Sequence, residues 1–100
     1  IKVSKKPITF ESIAETVAKH YNIETDLLYG KSRKREISDA RQLVMYFAKK
    51  ETQLSSTNIG VRLSRNHATV LHACKVIEQR LTVEKEFKDE VCEIENALKK

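Results

Sequence analysis

The sequence predicts an all-α domain of about six helices. Apolar residues make up 40% of the chain and recur at helical spacing along most of it. Two glycines and one proline are too few to turn the many short strands of a sandwich or barrel. A length of 100 residues suits one domain. We expect residues 1–7 to be the end of a linker and residues 8–100 to form the folded unit.

The first two helices are predicted from apolar spacing and from residues that favour helix ends. Thr9 is expected to cap a helix that runs to about Tyr21, with Asn22 ending it. Thr25 is expected to cap a short second helix, and Gly30 then opens a loop. The predicted inner face of the first helix consists of Phe10, Ile13, Ala14, Val17 and Ala18.

The third helix has the clearest amphipathic pattern and is predicted to be central. Ser38 is expected to cap it, with Asp39 in the first turn and Lys49 and Lys50 in the last, which suits the helix dipole. The apolar stripe expected to be buried consists of Ala40, Leu43, Val44, Phe47 and Ala48.

Three more helices follow. The fourth is predicted to begin near Ser55 or Ser56, the fifth to run from Asn66 to about Leu81, and the last to run from about Val83 to the end. The apolar residues expected to face the core from the fifth and sixth helices are Val70, Ala73, Cys74, Ile77, Leu81, Phe87, Val91, Ile94 and Leu98.

The net charge of +5 is unevenly distributed along the chain. Residues 1–83 hold 15 basic and 8 acidic side chains, whereas residues 84–100 hold 4 basic and 6 acidic ones. The densest basic segment, KSRKR at residues 31–35, is named here the basic loop. A polyanion is a plausible partner for the first part, although such a run is as often a solvated loop. The acidic last helix is expected to act as a scaffold.

Residues 56–77 are predicted to form a helix-turn-helix, the core of the fold. Two short helices that meet at a steep angle need a small residue where their backbones approach, and Gly60 supplies it. In such a unit the N-terminal end of the second helix reaches base edges in the major groove. Asn66 and His67 at that end suit base contacts, but an N-cap and a plain surface residue remain alternatives.

Other kinds of site are not expected. His20, His67 and His72 do not have metal-ligand spacing, and the chain has no phosphate-binding glycine loop or nucleophile motif. We therefore expect no catalytic residue, metal or cofactor. Cys74 and Cys92 are expected to be reduced core thiols. No segment is long and apolar enough to be a membrane helix, so a soluble, cytoplasmic protein is expected.

Residues 66–73, NHATVLHA, resemble the DHxTVxHA signature of the C-terminal DNA-binding domain of the DnaA family of bacterial chromosomal replication initiators. Further motifs follow that family's order, with DLL at residues 26–28, SRKREI at 32–37 and ARQ at 40–42. The resemblance covers roughly residues 8–98. It implies a helix-turn-helix domain, associated with the nucleoid, that binds short origin repeats in double-stranded DNA as a monomer.

The resemblance also implies which residues contact DNA. Arg33 corresponds to an arginine that enters the minor groove, where a narrow, negative slot suits a planar cation. The residues that match base contacts in the major groove are Asn66, His67, Ala68 and Thr69. The residues expected to contact the DNA backbone are Lys34, Arg41, Lys49, Ser55, Ser56, Arg65, His72 and Lys75.

Three departures from the family pattern predict an altered base preference. Asn66 stands where the family usually has Asp, which favours a move from cytosine towards adenine. The turn after Gly60 is one residue shorter, which places Ser64 near an expected glycine pair. Asp39 brings a negative charge close to the expected phosphate face.

Two alternative functions remain open at this point. The chain is compatible with a helix-turn-helix transcriptional regulator, which would usually dimerise on two half-sites. It is also compatible with a helical protein-interaction module, for which an exposed apolar patch would be the discriminating feature. If the parent protein hydrolyses ATP and self-assembles, as the resemblance implies, the module that does so is absent from this chain.

Overall fold

The computed structural model describes residues 8–30 and 34–98. Six helices and no strands are found in these two ranges, which confirms the predicted all-α class. The helices are α1 (Phe10–Tyr21), α2 (Thr25–Tyr29), α3 (Arg35–Glu51), α4 (Ser56–Arg62), α5 (His67–Val83) and α6 (Lys85–Leu98). The predicted linker, residues 1–7, lies outside the described residues.

Helix α3 lies at the centre of the fold, as its amphipathic pattern predicted. It packs against α1 on one side and α5 on the other, and α6 contacts both of those helices. The five residues of its predicted stripe are all fully buried. The core continues into α1 through Ile13 and Val17 and into α5 through Val70 and Ile77. Burial of this apolar surface is the main stabilising contribution to the fold.

The predicted ends of α1 are confirmed, but the cap of α2 is not. The Thr9 and Ser12 side chains bond reciprocally to each other's backbone N–H groups in a capping box. Asn22 ends the helix in the left-handed conformation, with φ of 58°. Thr25 is the first residue of α2, and Glu24 occupies the cap position without a side-chain hydrogen bond.

Helix α3 begins one turn earlier than predicted, so the assignment of Ser38 as its N-cap is wrong. The helix starts at Arg35 after Lys34, and the Ser38 N–H donates to the Lys34 carbonyl at 2.8 Å. Ile37 is only 4% exposed. Because Ile37 lies three residues before Ala40, its burial extends the apolar stripe backwards by a turn.

Helices α4 and α5 form the predicted helix-turn-helix. The Ser55 hydroxyl oxygen caps α4 by accepting from the Asn58 N–H at 3.1 Å. Gly60 is buried in α4, and the Arg65 N–H donates to its carbonyl at 2.7 Å. A Cβ atom on Gly60 would lie 2.4 Å from the Arg65 carbonyl oxygen. Glycine is therefore required at this crossing of two backbone segments.

Helix α6 covers the side of the core formed by α1 and α5. Its predicted stripe is buried at Phe87, Val91 and Ile94. The Tyr21 hydroxyl donates to the Glu90 carboxylate at 2.9 Å, and the Arg80 guanidinium lies 3.8 Å from the centre of the Phe87 ring. These contacts give the acidic α6 the packing expected of a scaffold element.

The two cysteines differ in environment. Both have free thiols, but only Cys74 is half-buried, whereas Cys92 is exposed on α6. The prediction that both are core thiols is therefore wrong for Cys92, which lies beside the α6 stripe rather than in it. No helix in the described part of the chain is both long and apolar enough to cross a membrane.

Candidate nucleic-acid interface

The N-terminal end of α5 is a solvent-exposed corner of the molecule. This end follows directly on the turn that packs closely against Gly60. The residues exposed there are Asn66, His67, Ala68 and Thr69. In the next two turns of α5, residues predicted to contact the DNA backbone are also exposed. These contacts are His72 and Lys75. The exposed face of α5 therefore carries these predicted DNA contacts together with one large apolar side chain, Leu71, which is 50% exposed.

Asn66 is the N-cap of α5, which confirms that alternative for its local role. Its side-chain oxygen accepts hydrogen bonds from the Thr69 N–H at 2.8 Å and from the Thr69 hydroxyl at 2.9 Å. Its amide nitrogen makes no hydrogen bond to any other described residue. The side chain is exposed, so capping leaves that nitrogen free to meet a ligand.

A groove of about 160 Å³ lies between α3 and α5 beside this corner. The structure brings four of the predicted DNA-contact residues together in its lining: Arg41, Arg65, Thr69 and His72. Ser38 and Gln42 also line the groove, although neither was predicted as a site residue. The sequence could have indicated both residues, because positions 38 and 42 lie one helical turn apart and therefore on the same face of α3.

Two arginines meet at the start of the basic loop. Arg41 is only 7% exposed and donates from Nε to the Leu28 carbonyl at 3.0 Å and from Nη2 to the Gly30 carbonyl at 3.1 Å. Arg65, in the helix-turn-helix turn, donates to the same Gly30 carbonyl at 3.1 Å. Burial, and then the Arg65 cation, lower the pKa of Arg41. These hydrogen bonds therefore connect the C-terminal end of α2 to α3 and to the turn of the helix-turn-helix.

This arrangement places Gly30, the residue before the basic loop, next to the α5 corner. Arg33 itself lies outside the described residues. Arg41 and Arg65 both donate to Gly30, which precedes the loop, and Lys34 within the loop is exposed just before α3. Gly30 therefore lies beside the groove between α3 and α5, because Arg41 and Arg65 both line that groove.

The remaining predicted contacts lie on other parts of the surface. Lys49 is exposed in the last turn of α3 and lines a second groove, of about 320 Å³, with Cys74 on α5. Burial raises the pKa of the Cys74 thiol. Ser55 is exposed at the start of α4 and Ser56 is half-buried there. No cluster of three metal-ligating side chains occurs in the ranges that the structure describes.

The helix-turn-helix and its flanking helices match a known family. The family model described as "Bacterial dnaA protein helix-turn-helix" matches residues 10–77 of the chain. The chain belongs to this DnaA family. Curated DnaA proteins are similar across nearly the whole chain and on both sides of the matched range.

Three of these relatives illustrate the extent of the similarity. The chromosomal replication initiator protein DnaA of Bacteroides thetaiotaomicron is 47% identical over 96 residues, which is 95% of this chain and 20% of that protein. DnaA of Flavobacterium psychrophilum is 39% identical over 98% of this chain and 21% of the relative. DnaA of Chromobacterium violaceum is 41% identical over 79% of this chain and 17% of the relative. The chain thus spans about one fifth of the length of these DnaA proteins.

The departures from the DnaA pattern have clear structural outcomes. Ser64, which lies near the position of an expected glycine pair, adopts the left-handed conformation with φ of 59°. That conformation explains why glycine suits this turn. The Asp39 carboxylate lies 4.0 Å from the Arg80 guanidinium, which offsets its negative charge.

Proposed function

We propose that this chain is the DNA-binding domain of a chromosomal replication initiator and that it recognises short repeats of an origin in double-stranded DNA. The major groove is wide enough for one helix, and α5 offers its exposed N-terminal end. His67, Ala68 and Thr69 would contact base edges together with Asn66. The observation that carries the proposal is that all four side chains are exposed at one end of a helix fixed by Gly60.

A second contact would come from the basic loop. Arg33 would enter the minor groove next to the segment that α5 contacts, because the Gly30 end of the loop is tied to the helix-turn-helix turn. The residues proposed to position the duplex through its phosphates are Lys34, Lys49, Ser55, Ser56, Arg65, His72 and Lys75. Phosphate contacts of this kind set register and affinity, while base contacts set sequence preference.

Arg41 would act differently from the other predicted backbone contacts. Its side chain is buried, and its guanidinium donates to carbonyls at the end of α2. We infer that it holds the end of α2, from which the basic loop begins, with any phosphate contact limited to the part of the side chain that lines the groove.

The whole protein would do more than this domain does. The named relatives are initiator proteins about five times as long as this chain. An ATPase module that lets the protein self-assemble would lie in the part that the chain does not span. Binding to the chromosome would place the protein in the cytoplasm, associated with the nucleoid. The domain itself would act without a cofactor and would bind DNA as a monomer.

Methylation protection tests the two-groove arrangement on a duplex that carries one origin repeat. Dimethyl sulfate modifies guanine N7 in the major groove and adenine N3 in the minor groove, so one experiment reports on both. The expected result is protection of both atoms within one repeat. An Arg33→Ala variant is expected to lose the adenine protection and keep the guanine protection. Protection in one groove only with the unaltered chain would contradict the arrangement.

Sedimentation of the complex tests the stoichiometry. One domain per repeat is expected, with a monomer in the absence of DNA. A dimer that requires two half-sites would favour an ordinary helix-turn-helix regulator instead.

A further inference from the structure

Asn66 serves α5 with only one of the two polar atoms of its side chain. The oxygen accepts two hydrogen bonds from Thr69, one from the backbone N–H and one from the hydroxyl. An amide oxygen has two lone pairs, so these bonds use its full capacity as an acceptor. The amide nitrogen carries two N–H donors, and neither is bonded within the described residues.

The orientation of this amide is fixed by chemistry. A backbone N–H can only donate, so the atom that faces the Thr69 nitrogen at 2.8 Å has to be the oxygen. The nitrogen is therefore the atom left to face the ligand. Rotating the amide would place two donors against each other and remove the cap of α5.

We propose that Asn66 selects a base that offers hydrogen-bond acceptors in the major groove, with guanine the preferred base and cytosine disfavoured. This inference rests on the proposed function, since it concerns which base the α5 corner prefers. Guanine presents two adjacent acceptors, N7 and O6, whereas cytosine presents an amino donor at this edge. Two free N–H groups match the former and oppose the latter.

The same geometry argues against the bidentate pairing with adenine that an asparagine often makes. That pairing requires the side-chain oxygen to accept from the adenine amino group. In this structure both lone pairs of the Asn66 oxygen are already used by Thr69. Adenine would be left with a single contact to N7, so it ranks below guanine.

The replacement of Asn66 by aspartate changes the group that faces the base from a hydrogen-bond donor to an acceptor. It does so without removing the cap of α5. A carboxylate would accept from Thr69 with one oxygen and present the second oxygen as a free acceptor. That acceptor matches the cytosine amino group and opposes the guanine edge. Serine keeps the capping oxygen and has no second polar atom, so Asn66→Ser separates helix capping from base selection.

The test is a selection from a library of duplexes with a fully randomised central region, carried out with the unaltered chain, Asn66→Asp and Asn66→Ser. Helical content and thermal unfolding are measured first to confirm that all three are folded. The unaltered chain is expected to enrich guanine over cytosine by about tenfold at one position of its site. Asn66→Asp should reverse the preference at that position alone, and Asn66→Ser should abolish it there.

The outcomes separate this inference from the proposed function. If the unaltered chain enriches a sequence but Asn66→Asp enriches the same bases throughout, the proposed role of Asn66 is overturned while the proposed function stands. Enrichment of cytosine or adenine by the unaltered chain at the position that Asn66→Ser affects also overturns it. If the folded, unaltered chain enriches no sequence, both proposals are overturned.

Discussion

The backbone carbonyl of Gly30 accepts a hydrogen bond from the Arg65 guanidinium at 3.1 Å, although 35 residues separate the two in the chain. Arg41 donates to the same carbonyl at the same distance. The last residue described before the basic loop is thus joined to the helix-turn-helix and to the central helix. In the proposed function, this joint sets the spacing between the two groove contacts.

The first prediction concerns Arg41. Arg41→Lys is expected to lower the free energy of unfolding by about 1–3 kcal/mol, because an ammonium group cannot reach the carbonyls that the planar guanidinium bonds together. Chemical denaturation measures this change. Arg35→Lys is the matched control, since Arg35 is exposed, and a change within about 0.5 kcal/mol is expected there. Equal effects from the two variants would show that the buried hydrogen bonds of Arg41 do not stabilise the fold.

The second prediction concerns the crossing at Gly60. Gly60→Ala is expected to lower the free energy of unfolding by about 1–3 kcal/mol, since its Cβ would lie 2.4 Å from a backbone oxygen. Gly30→Ala is the control, because among the described residues the atoms nearest to a Cβ there would be 3.8 Å away. Thermal unfolding of both variants compares them directly. A Gly60→Ala variant as stable as Gly30→Ala would contradict the tight turn.

The third prediction is a gain in stability from a change at Ser64. Ser64→Gly is expected to raise the free energy of unfolding by about 0.5–1 kcal/mol, because Ser64 has φ of 59° and glycine adopts that conformation without a steric penalty. Ser38→Gly, in a regular turn of α3, is expected to be destabilising instead. Denaturant unfolding of both variants checks the signs. Destabilisation by Ser64→Gly would indicate that the left-handed turn is not strained.

The fourth prediction separates base contacts from phosphate contacts on α5. His67→Ala is expected to reduce the preference for an origin repeat over scrambled DNA. Lys75→Ala is expected to weaken binding to both DNAs alike and to lower the slope of log K against log salt by about one. Binding titrations at several salt concentrations measure both quantities. Equal losses on the two DNAs for His67→Ala would count against a base contact.

The sequence was most informative where one local pattern determines the structure. Apolar spacing identified the buried stripe of α3, and the need for a small residue at a helix crossing identified Gly60. The pattern failed at Ser38, where a good capping residue lies inside a helix that begins earlier because Ile37 is buried. Capping preference is a local effect, and tertiary packing overrode it.

The candidate site was only partly predictable for a related reason. The exposed end of α5 followed from the helix-turn-helix pattern, and its four residues are exposed as that pattern requires, while their contacts with DNA stay a prediction. The burial of Arg41 did not follow, because its partner carbonyls belong to α2 and meet it only in the folded chain. The direction of the Asn66 amide likewise depends on which of its atoms caps the helix. Residue type alone does not specify that direction.

The central claim is that this domain binds DNA by sequence, and one titration tests it most directly. Fluorescence anisotropy compares the affinity for a duplex with one origin repeat to that for a scrambled duplex of equal length, at several salt concentrations. A specificity ratio on the order of 10³ or more is expected near physiological salt, with both affinities falling as salt rises. A ratio close to one at every salt concentration would contradict the claim and leave only a general attraction between a cationic surface and DNA.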